Sequence, residues 1–393
     1  MIGRADRLRR GPFREGAFTS RLHSERLGAI LGLALGVTFG VCFLTGLLSH
    51  LIQHPPGWFH WTSRPAGVYR VTQGLHVATG VASIPLLLAK LWVVYPHLWR
   101  WPPIASVAHA LERLSLVPLV GGSVFLLFSG VASIIRWFPW HFSFPRAHYW
   151  ASWAAIGGLL VHIGAKAAST RRALGREGAA PVVAAAAEAG PEGGLSRRGF
   201  LGAVAAAVGV LTVATVGQAV RPLSRLSALA PRDPDVGPQG FPINRTAHEA
   251  KVERLATDPA YRLLVEGRVA DPLALSMDEL RAMPMREATL PIPCVDGWNV
   301  SKTWRGVPVA DLLARAGASA DLRDGVLVES LEPKGAYRVS MLDPAHARDP
   351  DTLLALEVEG EPLALDHGFP LRLITPNAPG VMQTKWVGRL EVR

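Results

Sequence analysis

Apolar residues fill the first 220 positions in long unbroken runs, whereas beyond about residue 240 they alternate with polar ones in short stretches. Five runs in the first part contain no Asp, Glu, Lys or Arg: 27–63, 71–89, 114–135, 147–165 and 199–220. A helix needs roughly 20 residues to cross a hydrocarbon core about 30 Å thick. The pattern therefore predicts five transmembrane helices. Aromatic residues gather beside the predicted ends (Trp58, Trp61, Tyr95, Trp99, Trp101, Trp137, Trp140, Tyr149, Trp150), where amphipathic rings favour the headgroup layer.

The later stretches, such as 261–269, 325–330 and 370–375, are broken by Gly, Pro and Asp and read as strands. Short helices are expected at 276–282 and 309–316. Together these describe a soluble α+β domain with mainly antiparallel or mixed strands.

Charge divides the chain at the same place. Of 41 Lys+Arg and 31 Asp+Glu, residues 1–220 hold 20 and 7, and the remainder holds 21 and 24. Nine of the 12 Trp also lie in the first part. A basic, Trp-rich, apolar half points to membrane lipid as its partner and away from nucleic acid. Basic residues flank the spans at Arg4, Arg7, Arg9, Arg10, Arg14, Arg21 and Arg26, and again at Lys166, Arg171, Arg172 and Arg176. Positive flanks stay inside, so the N-terminus is expected in the cytoplasm and the part after residue 221 on the outer, periplasmic or extracellular, face of the cytoplasmic membrane. The expected divisions are a four-helix membrane domain at 1–170, a cytoplasmic linker at 171–195, a fifth helix at 196–220, an external linker at 221–240 and a soluble domain at 241–393.

Histidines near or within spans are functional candidates, because polar groups there are costly. His148 and His162 are 14 residues apart, which places both on one helix face about 21 Å apart along the axis. That spacing suits two stacked haems. His76 is the expected partner of His148 at an outer haem, and His23 that of His162 at an inner one. His97 competes with His23, and His50 with His76; His54, His60, His109 and His141 read as interfacial. No Cys-x-x-Cys-His is present, so any haem is of b type. Arg21-Leu-His23, Thr45-Gly-Leu, Gly74-Leu-His76, His148 and His162 make residues 15–170 resemble the two-haem cytochrome b subunits of membrane formate dehydrogenases and nickel-iron hydrogenases. The resemblance implies an all-α four-helix bundle that exchanges electrons with quinone or quinol.

Ser196-Arg197-Arg198-Gly199-Phe200-Leu201 resembles the recognition sequence of the twin-arginine translocase, which exports folded, cofactor-loaded domains. Two arginines also satisfy an ordinary positive-inside anchor.

Only Cys42 and Cys294 are present, too few for a disulfide framework or a four-Cys metal site within the chain. Cys294 lies between prolines 291 and 293 and the run Val-Asp-Gly-Trp298, in a segment that should be stiff and non-helical. Thiolates favour thiophilic metals. The run around Cys294, with Trp304-Arg-Gly-Val-Pro308, Glu359-Gly-Glu-Pro-Leu, His367-Gly-Phe-Pro-Leu-Arg372 and Thr384-Lys385-Trp386, resembles the sulfite oxidase superfamily. Cys294-Val-Asp-Gly-Trp298 is similar to its periplasmic branch that reduces methionine sulfoxide in proteins. The resemblance covers about 241–393 and implies molybdenum held by Cys294 and a molybdopterin. It places His367 and Arg372 on the pterin, Gln383, Thr384 and Lys385 near its phosphate, Ser330 near the metal, and Asn244 with Arg245 at the entrance. Asp296 is a candidate proton donor and Tyr337 a candidate active-site tyrosine. The Cys-x-Gly-Asn-x-Arg run of animal and plant sulfite oxidases is absent, and Arg305 or Arg338 would have to supply a second anion-binding arginine.

The combined expectation is a membrane molybdenum oxidoreductase passing quinol electrons through two b haems to an external site that reduces an S-oxide or N-oxide, oxidised protein Met included. Reversed flow, oxidising a sulfite-like substrate, is the enzymatic alternative. A non-catalytic haem carrier whose outer domain docks a redox partner is the other.

Overall fold

The computed structural model describes residues 18, 20–99, 104, 106–175, 195–230, 232–295, 297–319, 322–335 and 337–393. The arginines of the N-terminal tail before residue 18, most of the linker, and Asp296 lie outside the described residues. The chain divides into two compact units, 1–44 with 76–215, and 45–75 with 216–393.

The first unit is helical. Its elements are α1 (Glu25–Gln53), α2 (Val68–Val94), α3 (Val107–Leu116), α4 (Gly122–Ile134), α5 (Phe144–Leu174) and α6 (Arg197–Val216), with α1 and α2 each crossing the division. A π turn at Val117–Gly121, opened by Pro118 within it, joins α3 to α4. Among the described residues five helices are long and apolar enough to cross a membrane. Their outward faces carry large apolar side chains such as Leu33, Val37, Leu88, Leu160 and Val210, as lipid contact requires. Within the charge-free run 27–63, α1 stops at Gln53, because Pro55 and Pro56 cannot continue it. Leu27, Leu31, Leu35, Leu86, Leu87 and Val93 bind α1 to α2, with Phe200, Leu201, Val204 and Val208 of α6 packed against them. Gly158 lets α5 meet the π turn, since a Cβ there would lie 3.0 Å from the Leu119 backbone nitrogen.

The second unit carries two five-stranded sheets built from β1 (Leu263–Gly267), β2 (Leu273–Leu275), β3 (Arg286–Pro293), β4 (Asn299–Pro308), β5 (Val326–Ser330), β6 (Val339–Leu342), β7 (Leu353–Val358), β8 (Glu361–Pro362), β9 (Arg372–Ile374) and β10 (Val387–Val392). One sheet runs β2-β1-β10-β5-β6, and the other β3-β4-β7-β8 with β9 also on β7. Among the described residues only β1 and β10 pair in parallel, so the expected mixed sheet is present. Both anticipated helices form, at Met277–Ala282 and Val309–Arg315. Ser276 and Glu279 make a reciprocal capping box at the first.

Two buried clusters fill this unit. One packs Leu263, Val265, Leu312, Val326, Val328, Leu371 and Leu390 around the first sheet. The other gathers Phe241, Leu290, Ile292, Cys294, Trp298, Trp304 and Ile374 on the second. β3 is an edge strand, which is where Pro291 and Pro293 cost no ladder bond.

Candidate functional site

β3 and β4 form a hairpin whose final pair is Pro293 with Asn299, and Cys294 stands at its tip. The tip closes through Cys294 N–H to Trp298 O (2.9 Å) and Gly297 N–H to Cys294 O (3.1 Å). Gly297 takes φ +95° there, a conformation that glycine adopts without strain. The thiol is buried at 4% exposure, and Asn244 Nδ2 donates to its sulfur at 2.9 Å. Such a bond favours a thiolate over a thiol.

The other predicted residues are linked by contacts back to this tip. Gln383 Nε2 donates to Pro291 O (3.2 Å) on the Cys294 strand. Thr384 Oγ1 meets Ser340 Oγ at 2.7 Å, and Ser330 Oγ donates to Lys385 O (2.8 Å). Lys385 Nζ donates to Arg245 O (2.9 Å) and Asp366 O (2.7 Å), and Arg245 pairs with Glu332. Burial holds the Glu332 carboxyl above its ordinary range despite that arginine.

His367 is fully buried and stacks on Phe241 with ring centroids 3.6 Å apart. Its Nε2 lies 2.8 Å from Pro238 O. A carbonyl only accepts, so Nε2 carries the proton and Nδ1 faces the interior as an acceptor. Burial, reinforced by the Arg372 charge, pushes its pKa down to about 3.

Arg372, 4% exposed, lies over the Trp304 ring at 5.5 Å and donates to His367 O at 3.1 Å. Among the described residues no carboxylate pairs with it, and its Nε has no partner. Burial lowers its pKa to about 10. A buried guanidinium without a counter-ion is costly unless an anion joins it.

Among the described residues, Asn244 Oδ1, His367 Nδ1, Arg372 Nε and Gln383 Oε1 are all buried without a hydrogen-bond partner. Buried polar atoms are normally satisfied. Three of these atoms accept and one donates, so a ligand that offers several N–H donors and an acceptor fits this set, as a pterin ring does.

Three expectations fare differently. Tyr337, in the turn between β5 and β6, is 49% exposed. Arg305 is paired with Glu357 and Arg338 with Glu329. Asp296 lies outside the described residues.

Residues 249–393 match the family model described as the oxidoreductase molybdopterin binding domain. This part of the chain is a molybdopterin-binding oxidoreductase domain of the sulfite oxidase family. The mitochondrial sulfite oxidase of Mus musculus is 33% identical over 177 residues, covering 38% of this chain and 32% of that protein. The putative protein-methionine-sulfoxide reductase subunit YedZ1 of Azospira oryzae is 32% identical over 152 residues, covering 39% of this chain and 56% of that protein. Among solved structures, the sulfane dehydrogenase SoxCD from Paracoccus pantotrophus matches at 27% identity over 35% of this chain and 39% of that one, with a TM-score of 0.31. The chain thus spans about a third of the sulfite oxidase and about half of the reductase subunit.

Within the molybdopterin domain, sequence reading missed Phe241 under His367 and Trp304 under Arg372. Trp304 does carry a signal, as the first residue of the Trp-Arg-Gly-Val-Pro run.

The helical unit holds the second set of candidates. His76 and His148 stand with ring centroids 6.3 Å apart, a separation that lets two imidazoles share one metal at bond lengths of about 2 Å. His76 Nδ1 donates to Cys42 O (2.8 Å), and His148 Nδ1 lies 2.8 Å from Ser129 Oγ. Each ring is therefore oriented through Nδ1, as metal-ligating histidines are. His23 Nδ1 instead reaches Val93 O (3.2 Å), with the ring against Trp92 and Tyr95. No ring contact joins His23 to His162 among the described residues, and His162 Nδ1 is buried without a partner. His50 stacks on His54, and His97 accepts from Arg113 through its carbonyl. Among the described residues no group of three or more His, Cys, Asp or Glu is placed to hold a metal ion.

Acid sensitivity follows from His367. Folded, it stays neutral down to about pH 3, whereas unfolded it titrates near 6.5. Between those values the unfolded chain binds the extra proton, so stability falls as pH drops from about 6.5. His346, also pushed down by burial, acts in the same direction. The melting temperature of the second unit is expected to fall from pH 7 to pH 5, with a slope of up to about 1.4 kcal/mol per pH unit for each buried histidine. A flat profile would contradict a buried neutral His367, and His367→Gln should shallow the slope.

Proposed function

We infer that this chain is a membrane-bound molybdenum oxidoreductase that exchanges electrons between the quinone pool, two b haems and a molybdopterin site, and that it reduces an S-oxide or N-oxide. The observation that carries this reading is Arg372, a buried guanidinium without a counter-ion among the described residues, lying over Trp304 of the cluster that also holds Cys294. Arg372 and Lys385 would hold the pterin phosphate, with His367, Gln383 and Thr384 beside the pterin. Cys294 would ligate the metal, with Asn244 donating to its sulfur and Ser330 nearby. When bound, the molybdenum cofactor supplies two-electron oxygen-atom transfer. Reducing an S-oxide takes two electrons and two protons and releases water, and one quinol supplies both. Tyr337 and Asp296 are the candidate proton donors.

His76 and His148 would ligate the outer haem, and His162 with His23 or His97 the inner one. Crossing number supports placing the catalytic domain on the outer face. One crossing puts the 54–67 loop on the side opposite the N-terminus, five crossings put the molybdopterin domain there too, and the two belong to one compact unit. Arg197 and Arg198 open α6, with Ser196 Oγ accepting from Gly199 N–H (3.0 Å), and would serve as the export signal read by the twin-arginine translocase.

Sulfite oxidation with reversed electron flow is the second reading, and relatives named sulfite oxidase favour it. Against it, Arg305 and Arg338 are both neutralised by carboxylates, which suits an uncharged oxide better than a dianion. The test is turnover of the full chain in lipid nanodiscs with a quinol analogue and a panel of S-oxides and N-oxides, and separately with sulfite and quinone. One quinol consumed per oxide reduced is expected. Turnover with sulfite and quinone alone would reverse the assigned direction.

A further inference from the structure

The molybdopterin domain shares its compact unit with 45–75, the last turns of α1, the 54–67 loop and the first turns of α2. Asn377, 1% exposed, anchors this segment three times. Its Nδ2 donates to Thr62 O (2.8 Å), its Oδ1 accepts from Tyr69 N–H (2.8 Å), and its carbonyl accepts from Trp61 Nε1 (2.7 Å). Arg64 adds a fork to Asp349 at 2.9 Å on both arms and also reaches Asp351.

A line of hydrogen bonds continues from this anchor to the thiol loop. Gln53 Nε2 donates to Ser49 Oγ (3.1 Å), and Ser49 Oγ lies 2.8 Å from Tyr69 OH. Tyr69 OH donates to Gln73 Oε1 (3.5 Å), and Gln73 Nε2 donates to Val295 O (3.1 Å). Val295 is the residue after Cys294. Tyr69 gives its only proton to Gln73, so Ser49 must donate to Tyr69, and every donor in the line points toward the loop. Ser49, Tyr69 and Gln73 are all buried, where successive bonds polarise one another. Val295 is half-buried, so removing the Gln73 amide would leave its carbonyl without this donor and free the loop to shift toward other partners.

We propose that Gln73, held by Tyr69 and Ser49, is a positioning residue for the Cys294 thiolate, which makes the connection between the first two spans a structural part of the molybdenum site. The proposal rests on the reading above in assigning the metal to Cys294. Groups that orient a metal-bound ligand also tune the metal, so the effect of Gln73 extends from the loop to the electronic state of the centre.

The experiment uses the full chain in nanodiscs as wild type, Gln73→Leu, Gln73→Glu and Tyr69→Phe. It reads hydrogen exchange over 294–300, molybdenum content, and the paramagnetic signal of half-reduced molybdenum. Gln73→Leu is expected to speed exchange of the loop about 3- to 10-fold and to shift the signal at unchanged metal content. Tyr69→Phe should do the same to a smaller extent, and it carries the test if the leucine substitution prevents folding. Gln73→Glu should resemble the leucine variant at neutral pH and revert in acid, where the protonated carboxyl again offers a donor. Molybdenum present with loop exchange and signal unchanged in the variants overturns the role of Gln73 alone. Absence of molybdenum from the wild type overturns the metal assignment and this role with it, whatever the exchange shows.

Discussion

Replacing Cys294 by Ser is expected to lower oxide reduction by more than about 100-fold, because even outer groups around a metal ligand cost 10- to 100-fold, and this replaces the proposed ligand itself. The sulfur is buried, hydrogen-bonded to Asn244, and fixed at the tip of the β3–β4 hairpin, so the hydroxyl occupies the same place with a harder, weaker donor atom. Quinol oxidation to an added acceptor should continue at the wild-type rate in this variant, since the helical unit is untouched. Quinol oxidation and oxide reduction measured side by side on one preparation check both halves. Full oxide reduction by the variant would contradict Cys294 as the metal ligand, whereas quinol oxidation with no oxide reduction even in the wild type would favour the reading in which the outer domain only docks a redox partner.

His148→Leu is expected to act on the other side of the electron path. His148 faces His76 at 6.3 Å and is oriented by Ser129, and an alkyl group cannot take over the haem ligation proposed for it. The reduced-minus-oxidised absorbance of b haem should fall by about half, and quinol-driven oxide reduction should be lost while molybdenum content is unchanged. A low-potential dye that reduces the molybdenum site directly should restore turnover. Full haem absorbance in this variant would remove His148 as a ligand, and the relay would then need another histidine pair.

The five apolar helices were legible because charge is excluded from spans, and that signal is long and one-dimensional. The same signal overran α1, since the prolines that end it at Gln53 sit inside a charge-free run. Cys294 stood out through its neighbours: a single thiol just after two prolines has few local explanations, and it stands at a non-helical hairpin tip. Phe241 beneath His367 and the partnership of Trp304 with Arg372 were not legible, because they join positions 126 and 68 residues apart with no periodic pattern. The union of 45–75 with the molybdopterin domain was invisible for a different reason. Its key bonds end on main-chain carbonyls of Val295 and Asn377, and a carbonyl has no residue-type signature. Tyr337 has a side chain that is half exposed in a turn, an exposure that its position in the sequence does not signal.

Metal analysis of the detergent-purified chain, with a reduced-minus-oxidised optical spectrum of the same sample, tests the central claim most directly. About one molybdenum and two b haems per chain are expected. Haem without molybdenum, from a host that makes the cofactor, would contradict catalysis at Cys294, and molybdenum without haem would contradict the relay from quinol.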